Sequence, residues 1–244
     1  MPENNPDFEL LSFASADALA QAAAGAWLDE IETANRAGRP YCVALSGGRI
    51  AQKFFTATVA QAEARAVSFA RVHFFWADER CVPPTDPESN FKLANELLLL
   101  PLKIAPEKIH RLPGEISPQV AVKIAENELY RIVQKNSQKR PALDLILLGM
   151  GEDGHVASLF PGSVQKTDIN VSFLFVENSP KPPKMRISLS FNAIGRARQV
   201  WVLVSGAGKE SVLRAALKPD GQTPLARVLQ QRRGTKIFSD FLKF

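Results

Sequence analysis

The sequence is poor in cysteine and contains no long apolar run. Cys42 and Cys81 are the only cysteines in 244 residues, so we expect two reduced thiols rather than a disulfide framework or a zinc site. No apolar stretch approaches the roughly 20 residues that a membrane-spanning helix needs. The opening stretch, MPENNPDFEL, lacks the basic start and the apolar core of a signal peptide. These absences predict a cytoplasmic protein with no membrane partner.

The chain also lacks a concentrated charge of one sign. It carries 30 Lys and Arg against 25 Asp and Glu, which gives a net charge of +5. The densest basic stretches, residues 134–140 and 231–236, are not interleaved with aromatic side chains. Nucleic-acid-binding proteins usually cluster their basic residues on one face or stripe. The composition therefore argues against a nucleic-acid partner, and a small anionic substrate would explain the positive surplus equally well.

Helical and extended segments alternate along the chain. Apolar residues at helical spacing predict helices over residues 15–37, 50–65, 90–100, 117–134 and 209–217. Short apolar runs predict strands over residues 41–45, 72–76, 143–148, 186–190 and 200–204. This alternation is typical of an α/β fold in which helices cover a mostly parallel sheet. At 45% hydrophobic composition the chain can build one large core, so we expect a single domain over residues 1–244.

Four of the predicted strands end in polar or glycine-rich turns. These turns follow Leu45, Trp76, Leu148 and Val204. Parallel strands place their carboxyl ends, and with them the ligand sites of α/β proteins, at one edge of the sheet. We therefore expect one composite pocket built from all four turns.

The turn after Leu148 is the most informative of the four. Residues 143–162 read LDLILLGMGEDGHVASLFPG, so a buried strand delivers Asp153 and His155 together. His155 is one of only three histidines, and its ordinary pKa of about 6.5 suits it to carry protons at neutral pH. Asp78 and Arg80 follow another strand, where a structural ion pair and a functional role are equally good explanations.

Two glycine-rich turns predict a phosphate site. Ser46, Gly47 and Gly48 lead a strand into a helix without side-chain obstruction, and Arg49 adds a charge. Backbone N–H groups at such a helix start can bind an anion. The sequence SGAGK, which ends at Lys209, repeats this arrangement, and Arg186 is a further candidate ligand of phosphate.

Other chemistries fit the pattern less well. Residues 149–154 match G-x-G-x-x-G, but two acidic residues would lie beside a pyrophosphate and a proline would break the following helix. A serine triad is disfavoured because Ser46 lacks the first glycine of G-x-S-x-G and because Asp153 and His155 are only two residues apart. Histidine and cysteine spacing shows no metal motif.

The assembled motifs resemble those of the 6-phosphogluconolactonases, in the family they share with the glucosamine-6-phosphate isomerases. The resemblance covers nearly the whole chain. It rests on LSGGR (45–49), FWADERCVPPTDPESNF (75–91), GMGEDGHVASLFPG (149–162), RISL (186–189) and SGAGK (205–209). It implies a Rossmann-like α/β fold with helices on both faces of the sheet, hydrolysis of a sugar-phosphate lactone, and no metal or organic cofactor. Arg49 departs from the pattern, since many relatives have Ser or Thr there.

The resemblance and the residues together give a catalytic hypothesis. His155 acts as general base, Asp153 orients it, and Asp78 and Arg80 hold the sugar hydroxyls and the developing oxyanion. The remaining candidates hold the phosphate: Ser46, Gly47, Gly48, Arg49, Arg186 and Lys209. The only expected partner is the small-molecule lactone, and we expect a monomer or a weak dimer.

Two other functions remain open from the sequence: an isomerase and deaminase of the same fold, and a non-catalytic sugar-phosphate sensor. Deaminases continue D-G-H with a pattern resembling I-A-F-N-E-P, whose glutamate serves acid–base catalysis. This chain has Phe160 at that position, which disfavours the deaminase. A sensor would ordinarily carry a DNA-binding module, and we expect none because only about ten residues precede the first predicted helix.

Overall fold

The computed structural model describes residues 7–162 and 171–241. The strands are β1 (Phe8–Ser12), β2 (Tyr41–Leu45), β3 (Val72–Trp76), β4 (Asp78–Arg80), β5 (Leu145–Gly149), β6 (Phe173–Val176), β7 (Arg186–Leu189), β8 (Gln199–Val204) and β9 (Thr235–Ser239). The helices are α1 (Ala16–Arg36), α2 (Arg49–Arg65), α3 (Asn90–Ala94), α4 (Pro118–Ile132), α5 (Phe191–Arg196), α6 (Glu210–Ala216) and α7 (Pro224–Gln231). A π-helical turn, Asn95–Leu99, continues α3.

The larger sheet has six strands in the order β1-β9-β8-β5-β2-β3, and all its neighbouring strands are parallel. Helices flank this sheet, so the predicted α/β class with a mostly parallel, Rossmann-like sheet is confirmed. Three of the four inner strands, β2, β5 and β8, are buried almost throughout. Burial on both faces explains why their sequences are continuous apolar runs rather than alternating patterns.

A second, three-stranded antiparallel sheet corrects two expectations. Its order is β4-β7-β6. The sequence predicted a turn at Asp78 and Arg80, but these residues form β4 and pair with Ser188 and Arg186 of β7. The strand predicted over residues 186–190 exists, but in this small sheet and not in the parallel one. The sequence could not show which sheet this strand joins, because its partner β4 lies more than 100 residues away and such pairing leaves no local sequence pattern.

The start of α2 is set by the turn after β2. Gly48 has φ +102°, a conformation that L side chains rarely adopt, and it immediately precedes the helix. No side chain caps the first turn of α2. Its first N–H groups therefore remain available to a ligand at the carboxyl edge of the sheet.

The core is built around aromatic residues between α1, α2 and the parallel sheet. Trp27 is fully buried, and its ring lies 5.4 Å from that of Phe54 and 6.4 Å from that of Phe74. Ser15 caps α1 by accepting a hydrogen bond from the N–H of Ala18 (3.1 Å). Across the described ranges, 7–162 and 171–241, no helix is long and apolar enough to cross a bilayer.

Candidate active site

A cleft of about 370 Å³ opens where β2, β3, β5 and β8 end. Every candidate site residue chosen from the sequence lines it except Asp153, which contacts His155 (see below). The lining candidates are Ser46, Gly47, Gly48, Arg49, Asp78, Arg80, His155, Arg186 and Lys209. Asp78, Arg80 and Arg186 reach the cleft from the small antiparallel sheet. The others come from the turns after β2, β5 and β8 and from the start of α2. The structure thus brings the four turns together, while the role of each residue stays a prediction.

His155 and Asp153 form a hydrogen-bonded pair. The Nδ1 atom of His155 lies 2.5 Å from Oδ1 of Asp153, so Nδ1 carries the proton and the neutral ring presents Nε2 as its acceptor. Within residues 7–162 and 171–241, no group hydrogen-bonds to Nε2. The imidazole is therefore oriented by one nitrogen and available to accept a proton at the other.

The packing around His155 leaves the ring little freedom. A side chain at Gly151 would lie 2.1 Å from the Nδ1 and Cε1 atoms of His155, so glycine is required for the ring to occupy this position. On another side, the ring of Phe160 lies 4.6 Å from the imidazole, centroid to centroid. Only 17% of the His155 side chain is exposed. The imidazole is thus held against an apolar neighbour, with limited access to water.

Burial and charge act on this pair in opposite directions. Burial lowers the pKa of His155 below its ordinary value, and the hydrogen bond and charge of Asp153 oppose this shift without cancelling it. For Asp153, burial raises the pKa, but the contacts with His155 and the charge of Lys181 outweigh it and leave the pKa lowered. At neutral pH the site therefore holds a neutral imidazole beside a carboxylate, which is the combination that a general base requires.

Asp78 is fixed by two neighbours on its two oxygens. Ser158, fully buried, donates its hydroxyl to Oδ2 (2.7 Å), and Asn90 donates its amide to Oδ1 (3.2 Å). Ser158 belongs to the same loop as His155, so this hydrogen bond ties the His155 loop to β4. The carboxylate is rigidly placed in the cleft, where it can accept hydrogen bonds from sugar hydroxyls.

Glu79 anchors the segment that carries Asn90. Its buried carboxylate accepts hydrogen bonds from the N–H groups of Arg80, Asn90 and Phe91 and from the hydroxyl of Ser89. Burial raises the pKa of Glu79, and the three backbone donors act against this rise. A carboxylate at the start of α3 is also favoured by the helix dipole. This arrangement presents Asn90 to the cleft.

Cations gather at the end of the cleft near α2. Arg49 at the start of α2, Lys53 one turn later and Lys209 after β8 all line it. Burial lowers the pKa of Lys209, and the nearby charge of Arg49 lowers it further. The hydroxyl of Ser46 is buried there with no hydrogen-bond partner in the described part of the chain. Lys53 is already paired with Asp17 (2.6 Å), but Arg49 and Lys209 repel each other beside uncapped helix N–H groups, an arrangement suited to an anion.

Arg186 differs from a simple anion ligand. Its Nε donates to the carbonyl of Pro183 (3.0 Å), and one terminal nitrogen donates to the carbonyls of Pro182 (2.9 Å) and Lys181 (3.3 Å). The guanidinium therefore fixes the segment before β7, and its other terminal nitrogen remains for the cleft. The sequence suggested Arg186 as a ligand of phosphate, but it gave no sign that Arg186 holds the backbone of this segment.

Several residues of the site were not singled out from the sequence. Lys53 follows Arg49 by four residues on a predicted helix, so helical spacing alone would have placed both on one face. Asn90 and Ser158 lie within motifs that the resemblance already covered, but their contacts with Asp78 join distant parts of the chain. No local signal marked Glu79 or Lys181.

The chain is similar to known proteins over most of its length. The family model described as glucosamine-6-phosphate isomerases/6-phosphogluconolactonase matches residues 14–238. The chain belongs to this family. A Treponema pallidum member named 6-phosphogluconolactonase is 37% identical over 80% of this chain and 80% of its own. One from Streptomyces coelicolor with the same name is 33% identical over 84% and 80%.

A solved family structure shares the fold. The crystal structure of a 6-phosphogluconolactonase from Shewanella baltica superposes with a TM-score of 0.82 at 27% identity. The match covers 97% of this chain and 99% of that one. Family membership therefore extends over nearly the whole chain, including the turns that line the cleft.

Proposed function

We propose that this protein is a 6-phosphogluconolactonase, an enzyme acting on a carboxylic ester bond. It would hydrolyse 6-phospho-D-glucono-1,5-lactone to 6-phosphogluconate in the oxidative pentose phosphate pathway. The observation that carries the proposal is the hydrogen-bonded pair of His155 and Asp153 in a cleft whose other end gathers cations. Relatives at 33–37% identity bear the lactonase name. A phosphorylated lactone needs a base near its carbonyl carbon and cations near its phosphate, and the two ends of the cleft offer these groups.

In this mechanism His155 acts as general base. Nε2 takes a proton from water as the water oxygen attacks C1 of the lactone, which forms a tetrahedral intermediate with a charged oxygen. The intermediate collapses by breaking the bond between C1 and the ring oxygen, and the imidazolium returns its proton to that oxygen. Asp153 stabilises the transient imidazolium and keeps the ring oriented. No metal takes part in this scheme.

Arg80 and Asp78 support the reacting sugar. Arg80 donates to the carbonyl of Glu88 and lies 3.5 Å from its carboxylate, so its guanidinium is held at the cleft wall. A fixed cation there stabilises the negative oxygen that develops at C1. Asp78, held by Ser158 and Asn90, accepts hydrogen bonds from sugar hydroxyls. Both assignments are parts of the proposal.

The phosphate would lie at the other end of the cleft. The start of α2 offers backbone N–H groups beside Gly47 and Gly48, and Arg49 and Lys209 offer charge. A side chain at Gly47 would lie 2.0 Å from Oδ1 of Asn90, so the close approach of these two loops depends on glycine. Arg186 would add a donor from the small sheet.

The proposal also covers the domain organisation and the oligomeric state of the protein. We propose that residues 1–244 form one lactonase domain, because buried residues of both sheets join a single cluster in the described residues. We also expect a cytoplasmic monomer or weak dimer. Gel filtration with light scattering measures the oligomeric state, and a stable tetramer would contradict that expectation.

A direct assay tests the function. The purified protein should accelerate the opening of freshly generated 6-phosphogluconolactone well above its spontaneous rate, measured continuously with and without enzyme. EDTA should leave the rate unchanged, since the mechanism needs no metal. Absence of acceleration at micromolar enzyme would reject the lactonase, and a loss of rate in EDTA would reject only the metal-free mechanism.

The pH dependence of the rate should report His155. The base must be neutral, and burial lowers its folded-state pKa, so activity should persist below pH 6.5 and decline only as pH falls through that lowered value. We expect kcat/KM to follow a single acid limb with its midpoint below 6.5. The measurement is kcat/KM between about pH 4.5 and 8, corrected for spontaneous hydrolysis. A flat profile, or a midpoint above 7, would contradict a buried histidine base.

The deaminase alternative predicts a different product. The position that carries a glutamate in the deaminase pattern is Phe160 here, and its ring lies against His155. Phenylalanine cannot carry a proton, whereas proton transfer between C1 and C2 of an amino sugar needs such a relay. We expect no ammonia above the blank from glucosamine-6-phosphate, measured in a coupled assay with an authentic deaminase as positive control. Release at a rate comparable to lactone hydrolysis would overturn the assignment.

A further inference from the structure

The segment between β6 and β7 brings one more charged group to the catalytic pair. The backbone of Lys181 is held on both sides, because Ser179 donates its hydroxyl to the carbonyl of Lys181 (2.7 Å) and accepts from its N–H (3.2 Å). Arg186 donates to the carbonyls of Lys181, Pro182 and Pro183. Although the side chain of Lys181 is 48% exposed, its starting point is therefore fixed.

The ammonium of Lys181 shares a carboxylate oxygen with His155. Its Nζ lies 3.9 Å from Oδ1 of Asp153, the same atom that lies 2.5 Å from Nδ1 of His155. The two groups thus approach one oxygen from different elements of the fold. A positive charge at this position compensates the carboxylate and makes a second positive charge, on the imidazole, less favourable.

We propose that Lys181 is a positioning residue for the reaction, whose ammonium shares the Asp153 carboxylate with His155 and so favours the neutral, proton-accepting imidazole. The inference rests on the proposed function, since it assigns Lys181 a role through the base of that reaction. Without the ammonium, Asp153 would attract a proton to His155 more strongly, and less of the enzyme would hold a base at mildly acidic pH.

Other charged groups also act on His155. Asp153 on its own loop and Asp78 on β4 both favour the charged imidazole, whereas Lys181 opposes them, and burial is the largest influence. Arg186, Arg80 and Lys209 line the same cleft. Among the described residues Lys181 is the lysine in contact with Asp153, so its removal should act on the pair. Its charge also lowers the pKa of Lys209, so its removal favours the charged ammonium of Lys209 and leaves that contact in place.

The proposal predicts a shift in the titration of His155. Lys181→Met removes the charge and keeps an unbranched chain of similar length, while its backbone hydrogen bonds remain. We expect the His155 pKa to rise by about 0.3 to 0.7 at low ionic strength, as for a half-exposed charge near a partly buried group. In about 1 M salt the difference should largely vanish, because an exposed charge is screened. Lys181→Arg should restore most of the wild-type value.

The measurement is an NMR titration of the histidine ring signals in the free enzyme, with His155 assigned from a His155→Asn sample. Lys184→Met is the matched control, because Lys184 is an exposed lysine of the same segment with no side-chain contact in the described residues. It should leave the His155 titration unchanged. The acid limb of kcat/KM for Lys181→Met should move upward by the same amount as the NMR pKa, while the rate above pH 7.5 stays within about twofold of wild type.

The outcomes separate this inference from the proposed function. An unchanged His155 titration in Lys181→Met, or an equal shift in Lys184→Met, would overturn the role of Lys181 even if the enzyme is an active lactonase. A shift that persists undiminished in high salt would also overturn it, since that would indicate a structural change rather than a charge effect. An inactive wild type would reject the lactonase, while the titration, which needs no substrate, would still decide the effect of Lys181.

Discussion

Replacing His155 with alanine should lower kcat for lactone hydrolysis by roughly 10²- to 10⁴-fold, the usual effect of removing a general base. The ring is the proton acceptor of the scheme, and its Nε2 makes no hydrogen bond with the described residues. The carboxylate of Asp153 would remain but lies 2.5 Å from the missing Nδ1, behind the position of Nε2. It therefore cannot replace the ring without moving. The continuous lactone assay measures the loss.

Two controls distinguish a lost base from a damaged fold. Binding of the product, 6-phosphogluconate, should stay within a few-fold of wild type in His155→Ala, because the proposed phosphate ligands Arg49 and Lys209 are other residues of the cleft. Free imidazole should restore part of the rate by filling the space that the side chain leaves. Turnover near the wild-type level would contradict the mechanism, whereas loss of product binding as well would point to structural disruption.

Much of the parallel sheet could be predicted because β2, β3, β5 and β8 are buried along most of their length and are therefore apolar. The predicted segments 41–45 and 72–76 coincide with β2 and β3, and the apolar runs at 143–148 and 200–204 fall on β5 and β8. The edge strand β1 and its neighbour β9 were missed. Only some side chains of β1 are partly buried, and they do not alternate regularly with the exposed ones. Its sequence therefore shows neither a continuous apolar run nor a regular alternation of apolar and polar residues.

The small antiparallel sheet could not be predicted for a different reason. Strand β4 has the sequence Asp78-Glu79-Arg80, and charged residues of this kind normally indicate an exposed turn. Their burial depends on pairing with β7, more than 100 residues away, and on donors to Glu79 that lie mostly 10 to 12 residues away. Local propensity carries no information about such partners, so tertiary contacts overrode it.

The predicted site residues lie in or beside one cleft, and their individual roles remain predictions. Asp153 and His155 are two residues apart in the loop that follows β5. Their closeness in sequence was enough to predict that their side chains lie together. The contacts of Arg186 with three backbone carbonyls, and of Lys181 with Asp153, depend on the path of residues 177–185. Nothing in the local sequence specifies that path, which is why the holding role of Arg186 emerged only from the structure.

Removing the cations at the other end of the cleft should raise KM sharply with little effect on kcat. Hydrogen bonds to charged groups are worth about 1.5 to 3 kcal/mol, but this end of the cleft is open to water, so we use the lower limit. That corresponds to roughly tenfold in KM for Arg49→Met or Lys209→Met alone. For the double variant we expect about 30- to 100-fold, since the two charges lie close together and need not act additively. Steady-state kinetics with 6-phosphogluconolactone measure both parameters.

The unphosphorylated lactone provides the decisive comparison. Glucono-1,5-lactone offers the same reacting carbonyl to His155 but no dianion to Arg49 and Lys209, so the double variant should hydrolyse it as well as wild type does. Lys123→Met removes an exposed cation of α4 outside the cleft. It should leave KM for both lactones unchanged, which would exclude a general effect of net charge.

If the double variant lost activity equally toward both lactones, the cations would be acting on the reacting carbonyl or on the fold. If it lost none toward the phosphorylated lactone, the phosphate would bind elsewhere, and the gathering of Arg49 and Lys209 at the start of α2 would need another anion to explain it.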